Sequence, residues 1–264
     1  MNNQTFTHVI SRGSRFNQIY IPKDKMPYFE VGDLVEVNLL EKGSKFYYSK
    51  NTQKLSPFKE EITRKIFSVL TRYPEIKQVF IFGSFLTKDL DYNDIDVMIV
   101  SEIKNLEEKF HSIITKEVNF KMHLICVNEK ELSEQLKISP LVRSMLYNSL
   151  SNKPIPKMPP IIIDENHIKY LLMFPEDLSK YPLDSGKVFY DSLRKLLSIK
   201  HFLERKEYSQ KNIDLEIKET IGEKIFSVMK NDHQLAKKTQ KELQNILRKE
   251  IAEIYAILNH DKKR

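Results

Sequence analysis

Several residue types that help to classify a protein are scarce or missing here. The 264 residues include one cysteine, six glycines and no tryptophan. The single Cys126 cannot form an internal disulfide or a cysteine metal cluster. No apolar run reaches the roughly 18 residues of a membrane span, and the segment MNNQTFTHVISRGSRF at residues 1–16 lacks the apolar core of a secretory signal. These absences predict a soluble, cytoplasmic protein without a membrane partner.

The charge is basic and unevenly distributed. Lys and Arg total 43 against 36 Asp and Glu, a net charge of +7. Residues 185–264 hold 18 of the basic and 12 of the acidic side chains. Such an excess can attract nucleic acid or another polyanion. Glu and Lys alternate throughout this region, however, which is equally typical of a well-solvated helical surface. Both interpretations stay open.

Turn signals and apolar patterns predict an α+β protein with three structured regions. Residues 1–52 read as a small N-terminal β domain, 53–150 as an α/β core with a mixed sheet, and 164–264 as a C-terminal helical bundle. Between core and bundle, residues 151–163 include SNKPIPKMPP, whose four prolines in ten residues predict a linker.

The same patterns predict individual elements. Ser56 before Pro57 marks a helix start, and the apolar spacing that follows predicts a helix over 57–73. The predicted strands are 18–21, 34–39, 45–48, 78–82, 95–100 and 120–127, and the other core helices are 105–116 and 129–136. Apolar stripes at 189–203 and 243–258 predict two or three long helices with short connections such as 207–212.

The strongest chemical signature lies in residues 79–100, VFIFGSFLTKDLDYNDIDVMIV. Asp94 and Asp96 are two positions apart at a predicted strand start, so both side chains leave the same face. Two adjacent carboxylates repel each other without a counterion, and Mg²⁺ takes one or two carboxylates together with nucleotide phosphates. Gly83 and Ser84 end the preceding strand, where glycine lets a phosphate approach the backbone and the serine hydroxyl binds phosphate oxygens.

This combination resembles the nucleotidyltransferase core of the DNA polymerase β superfamily, especially its minimal branch. The family pattern is a Gly-Ser pair, a short spacer, and Asp-x-Asp within an apolar strand. Four residues meet it here: Gly83, Ser84, Asp94 and Asp96. The resemblance covers about residues 57–150. It implies transfer of a nucleoside monophosphate from an NTP such as ATP, with two Mg²⁺ ions on the two aspartates and the triphosphate on the Gly-Ser pair.

Two positions depart from the family pattern. Active members usually carry a third carboxylate on the next strand, which reads NFKMHLICV here and offers His123, with Lys121 on the same face. A neutral histidine accepts a proton near pH 7, so His123 either replaces that carboxylate or is an ordinary strand residue. Where the family often has Ala-Arg-Gly, this chain has Phe-Leu-Thr-Lys, and Lys88 is either a triphosphate ligand or an exposed turn lysine.

Two other segments resemble further families. Residues 19–37, IYIPKDKMPYFEVGDLVEV, are similar to the swapped-hairpin β domain of AbrB-type regulators, which dimerise and bind DNA. The basic residues that would contact DNA are Arg12, Arg15, Lys23 and Lys25. Arg194 and His201 fit the loose Arg-to-His spacing of HEPN ribonucleases, although basic helices often contain such a spacing by chance.

Two functions are therefore expected. The first is a Mg²⁺-dependent nucleotidyltransferase whose acceptor is a protein, an RNA or a small molecule. The second is a catalytically weak nucleotide-binding regulator or antitoxin that forms a homodimer or binds DNA through its N-terminal β domain.

Overall fold

The structure, a computed structural model, describes residues 11–12, 14–15, 17–18, 45–87, 92, 94–103 and 107–261. The chain separates into two compact units, 1–42 and 43–264. Within the first unit, β1 (Ser11–Arg12) pairs antiparallel with β2 (Asn17–Gln18). The AbrB-like segment 19–37, with Lys23 and Lys25, lies outside the described residues, so the small β domain stays a prediction.

A five-stranded mixed sheet forms the centre of the second unit. Its strands are β3 (Tyr47–Tyr48), β4 (Ile76–Phe82), β5 (Ile95–Ser101), β6 (Met122–Val127) and β7 (Leu150–Ser151), in the order β3-β7-β4-β5-β6. The pair β5 and β6 is parallel and the other neighbours are antiparallel. The mixed α/β fold predicted for the core is confirmed. β3 comes from a segment assigned by sequence to the N-terminal domain, yet it pairs with β7 in the core sheet.

Nine α-helices lie within the described part of the chain. They are α1 (Pro57–Leu70), α2 (Glu107–Val118), α3 (Glu129–Ile138), α4 (Pro140–Tyr147), α5 (Glu165–Lys180), α6 (Gly186–Leu203), α7 (Gln210–Ile221), α8 (Glu223–Lys230) and α9 (Lys237–Asp261). The Ser56 side chain caps α1, as its position before Pro57 predicts. None of the helices in the described residues has the length and apolar character needed to cross a bilayer.

The side chains of β5 alternate between two apolar cores, one on each face of the sheet. The core packed with α1 and α2 residues receives Ile95, Val97 and Ile99. The core on the α3–α4 face receives Met98 and Val100. Because side chains alternate along a strand, Asp96 belongs to the α3–α4 face, at the end where β5 begins.

The helical region has five helices within the described residues, where the sequence predicted two or three. α5 and α6 both pack on α9, and α6 also packs on α4. The connection predicted at 207–212 lies instead at 204–209, because α6 ends at Leu203 and the side chain of Ser209 accepts a hydrogen bond from the N–H of Asn212, which starts α7 at Gln210. The Tyr208 hydroxyl donates to the carbonyl of Pro140 at 2.9 Å. These contacts place the helical region beside α4, on the sheet face that holds Asp96.

The proline-rich segment 151–160 is packed against the core. Arg143 on α4 is only 5% exposed. Its Nη1 donates to the carbonyl of Leu136 at 2.6 Å and to the carbonyl of Pro159 at 2.8 Å. Met158 also contacts the core on the α3–α4 face. The segment is therefore attached to α3 and α4, and the domain limits at 150 and 163 stay predictions.

Arg143→Met is expected to lower the free energy of unfolding by about 3 kcal/mol. The carbonyl of Leu136 has no helical donor four residues later, because Pro140 lacks an N–H, so the substitution leaves it unpaired. Urea denaturation measures the loss. The control is Arg72→Met, since the Arg72 side chain is 60% exposed and pairs with Glu117 at 3.1 Å, a contact worth less than about 1 kcal/mol. Equal losses in both variants would contradict the prediction.

Candidate active site

Two adjacent strands place an acid beside a histidine. Asp96 on β5 is in parallel register with His123 on β6. His123 Nδ1 lies 3.0 Å from Asp96 Oδ1, at hydrogen-bond distance. The side chain of His123 is 61% exposed and that of Asp96 is 25% exposed. His123 is therefore a surface residue that contacts a predicted metal ligand.

The Gly-Ser bend lies against the same carboxylate. Phe82, the last residue of β4, pairs with Asp96 in the antiparallel register. Gly83 follows with a φ of +80°, which residues with a side chain rarely adopt. A Cβ at this position would overlap Asp96 Oδ2 and lie 3.1 Å from Asp96 Cγ. Glycine is therefore required here both by the backbone angle and by the close approach of the acid.

A buried lysine supports the turn that follows Gly83. Lys59 on α1 is 2% exposed, and its Nζ donates to the carbonyl of Thr87 at 2.8 Å. The ammonium group lies 5.5 Å from the ring centroid of Phe85 and 4.9 Å from that of Tyr92. Thr87 in turn donates through Oγ1 to the carbonyl of Ser84 at 2.8 Å. Lys59 thus contacts residues near both ends of the segment that joins the Gly-Ser and Asp-x-Asp motifs.

Asp96 is the electrostatic centre of the site. Burial raises the pKa of its carboxyl above the ordinary value, and the negative charge of Asp94 raises it further. The hydrogen bond and charge of His123, and the positive charge of Arg194 on α6, act in the opposite direction on this pKa. A cation bound beside Asp96 would favour its ionised form, so the site is electrostatically suited to one.

The comparison with known protein families indicates which kind of domain carries this geometry. Residues 64–140 match the family model Polymerase beta, Nucleotidyltransferase. The matched segment runs from α1 to the first residue of α4 and contains the Gly-Ser and Asp-x-Asp motifs. It supports the nucleotidyltransferase core expected from those motifs and does not extend to the AbrB-like or HEPN-like segments. No curated protein and no solved structure matches the chain.

The matched segment and the elements around it bring some of the predicted site residues together. Gly83 lies against Asp96, and Asp94 is close enough for its charge to act on Asp96. Asp94 lies in a bend, since β5 begins one residue later. Lys121 is exposed and precedes β6, and Lys88 lies outside the described residues. The roles assigned to these residues stay predictions.

The two aspartates of the matched segment have the chemistry to hold a hard cation. Asp94 and Asp96 supply carboxylate oxygens, which Mg²⁺ prefers. In the part of the chain that the structure describes, no group of three His, Cys, Asp or Glu residues could hold a metal ion. Mg²⁺ takes one or two carboxylates together with other oxygens, and nucleotide phosphates supply such oxygens.

Lys59 was not singled out by the sequence patterns, although a signal for it exists. It lies three positions before Ile62 and seven before Ile66, both buried residues of α1. Helical spacing therefore places a lysine on the apolar face of α1. Because a buried lysine needs polar partners, this position indicates a specific contact.

Lys59→Met is expected to weaken nucleotide binding about tenfold, or roughly 1.4 kcal/mol, because the turn at 84–87 loses its donor. It should also lower the free energy of unfolding by about 2 kcal/mol through the lost charge-assisted hydrogen bond. Nucleotide titration and urea denaturation measure the two effects. Lys65→Met, an exposed position on the same helix, should change neither. Unchanged affinity in the Lys59 variant would refute the positioning role.

Arg194 and His201 contact different carboxylates of α7. Arg194 Nε lies 4.0 Å from Asp214 Oδ1. His201 Nε2 lies 2.8 Å from Glu216 Oε2, and its ring stacks on Tyr208 with centroids 5.3 Å apart. These contacts account for His201 as a structural connection between α6 and α7.

Proposed function

We propose that the protein is a Mg²⁺-dependent nucleotidyltransferase that transfers a nucleoside monophosphate from an NTP to an acceptor hydroxyl. The observation that carries this proposal is the packing of Gly83 against the Asp96 carboxylate, within a domain that matches the nucleotidyltransferase family. Because the bend and the acid share one small space, a phosphate on the bend would lie beside the carboxylate. That is the arrangement a metal-assisted phosphoryl transfer needs.

Each part of the domain has a role in this proposal. Asp94 and Asp96 would hold Mg²⁺, while Gly83 and Ser84 bind the triphosphate. A Mg²⁺ ion held by these carboxylates would supply neutralisation of the charge that develops on the phosphate oxygens. The bend is fixed in advance, since the N–H of Leu86 donates to the carbonyl of Gly83 at 3.2 Å. Because the bend is already ordered, little conformational entropy is lost when a ligand binds to it.

The proposed reaction is an in-line substitution at the α-phosphorus. The acceptor oxygen forms the new P–O bond, the bond to the bridging oxygen of the β-phosphate breaks, and pyrophosphate leaves with the electron pair. We assign the hydroxyl proton to His123, an exposed imidazole that contacts Asp96 through Nδ1. Its position in register with Asp96 supports this assignment.

Transfer of label from each of the four α-³²P-labelled NTPs tests the proposal. The full-length protein is incubated with Mg²⁺ and a cell lysate, and the products are separated as protein and RNA. A labelled protein band or an RNA smear identifies the acceptor class, and EDTA should abolish both. Equal labelling by wild type and by the Asp94→Ala/Asp96→Ala double variant would contradict the proposal.

A nucleotide-binding regulator is the second candidate function, and one observation favours it. The strand β6 contains neither Asp nor Glu, so it lacks the third acid expected of active members. A regulator would bind NTP and Mg²⁺ without transferring label to any acceptor. A gel shift with its own upstream DNA, lost in an Arg12→Ala/Arg15→Ala variant, would then support the DNA-binding form of this candidate.

A further inference from the structure

The helix α5 is apolar on two opposite faces. One face packs on α6 and α9, and it buries the side chains of Ile168, Leu171, Leu172 and Leu178. The other face is exposed, and it presents Tyr170, Met173 and Phe174 at the i, i+3 and i+4 spacing of a helical stripe. Because a helix that is apolar all round is expected to be buried on every side, the exposed stripe indicates a surface that another molecule covers.

This stripe belongs to a concentration of exposed apolar side chains. In the part of the chain that the structure describes, nine large hydrophobic side chains are exposed, and six of them lie in or beside α5. These six, the α5 patch, are Ile162, Tyr170, Met173, Phe174, Tyr181 and Leu183, with exposed fractions from 47% to 74%. At roughly 200 Å² for each large side chain, the α5 patch exposes about 700 Å². Each partner in a standard protein interface contributes about 800 Å².

The charges on the exposed face of α5 make this face complementary to itself. Lys169 lies four residues before Met173 and Asp177 lies four residues after it, and both are exposed. Two antiparallel copies of α5 that cross at Met173 would bring Lys169 of each copy to Asp177 of the other. The pair that Lys169 forms with Glu165 at 3.5 Å is itself exposed, so it does not bury the ammonium group. The same arrangement places the first turn of α5, acidic at Glu165, beside the last turn of the other copy, which is basic at Lys180.

We infer that the α5 patch binds a second copy of this chain, and that the protein is a dimer with its two-fold axis at Met173. A two-fold interface requires a surface complementary to itself, and opposite charges at equal distances from one residue meet this requirement. A parallel arrangement of the two helices would bring like charges together. Ion pairs at the rim fix the orientation of the helices more than the affinity, which the aromatic and methionine side chains supply. The inference does not depend on the proposed nucleotidyl transfer.

Charge substitutions at the axis test the dimer by sedimentation equilibrium of the full-length protein. Wild type should have a mass twice that of the chain. Met173→Glu and Met173→Lys each place two like charges at the axis, and each should raise the dimer dissociation constant at least about 100-fold. An equimolar mixture of the two variants should form a heterodimer with a dissociation constant within about tenfold of wild type, because the charges at the axis then have opposite signs. Leu215→Glu, at another exposed hydrophobic position on α7, is the matched control and should leave the dimer intact.

Four outcomes would overturn the inference. A monomeric wild type would show that another part of the chain or a different protein covers the α5 patch. A dimer unaffected by either Met173 substitution would show that the copies meet elsewhere, for example through the N-terminal β domain predicted at residues 1–52. Equal weakening by Leu215→Glu would show a general effect of added charge. Weakening without rescue in the mixture would exclude the two-fold arrangement.

Urea denaturation checks that each variant is folded. Met173 is 58% exposed, so its substitution should leave the free energy of unfolding of the monomer nearly unchanged. Should either Met173 variant fail to fold, Tyr170→Glu replaces it, since Tyr170 is 69% exposed and lies one helical turn from the axis. A dimer that persists in Tyr170→Glu would then overturn the inference.

Discussion

Asp96→Asn is expected to reduce nucleotidyl transfer at least about 10³-fold, equivalent to roughly 4 kcal/mol of transition-state stabilisation. The substitution keeps the size of the side chain and an oxygen that can accept the hydrogen bond from His123. It removes the negative charge that a metal ion beside the phosphates requires. The assay is transfer of label from α-³²P-NTP under saturating Mg²⁺. Asp177→Asn, at an exposed position on α5, is the matched control and should keep full activity.

The same substitution should not destabilise the protein. Burial and the charge of Asp94 raise the pKa of Asp96, so the ionised carboxyl opposes folding at neutral pH. Asparagine removes this cost, and Asp96→Asn should be as stable as wild type or more stable by up to about 1 kcal/mol at pH 7.

The stability difference should depend on pH in a defined direction. It is present above the pKa of the folded carboxyl and disappears as the pH falls below the ordinary pKa of aspartate, about 3.9, because the wild-type group is then protonated in both states. Urea denaturation at pH 7 and at lower pH measures this change. A variant that loses stability together with activity would show that Asp96 serves the fold, which contradicts a site built for a cation.

Gly83→Ala is expected to reduce transfer roughly 100-fold or more, because a misplacement of about 1 Å at a reacting group has a cost of this size. The added Cβ overlaps Asp96 Oδ2, so either the carboxylate or the bend must move. Both carry parts of the proposed site. The loss should appear in kcat and in nucleotide affinity together, since the proposed function assigns the phosphates to the bend and the metal to the acid.

Gly222→Ala is the matched control for this substitution. Gly222 has a φ of +82°, close to the +80° of Gly83, so alanine meets a similar backbone cost of about 1 kcal/mol at both positions. No atom lies within 4 Å of a Cβ at Gly222. The two variants should therefore lose similar stability from the backbone, while only Gly83→Ala loses activity. Similar activity in both would show that the contact between Gly83 and Asp96 has no role in the reaction.

The core elements were predictable because their signals are local. The apolar runs at 78–82 and 95–100 match β4 and β5 to within two residues. Ser56 caps α1, which begins at Pro57 as the sequence predicts. The strand β7 has only two residues and therefore gives no comparable local signal. Its pairing with β3 joins segments about 100 positions apart, which no local pattern indicates. The number of helices after residue 164 was underestimated because the two predicted apolar stripes, at 189–203 and 243–258, do not extend to α5, α7 or α8.

The sequence by itself determined the chemistry of the site: two carboxylates beside an apolar strand, and a Gly-Ser bend before them. Only the tertiary structure decided which groups meet these residues. The sheet register puts His123 beside Asp96, and the packing of α1 brings Lys59 to the carbonyl of Thr87 in the turn. The physical reason is that composition and spacing fix the local conformation of a segment. Contacts between distant segments depend on how the faces of the sheet and helices are covered.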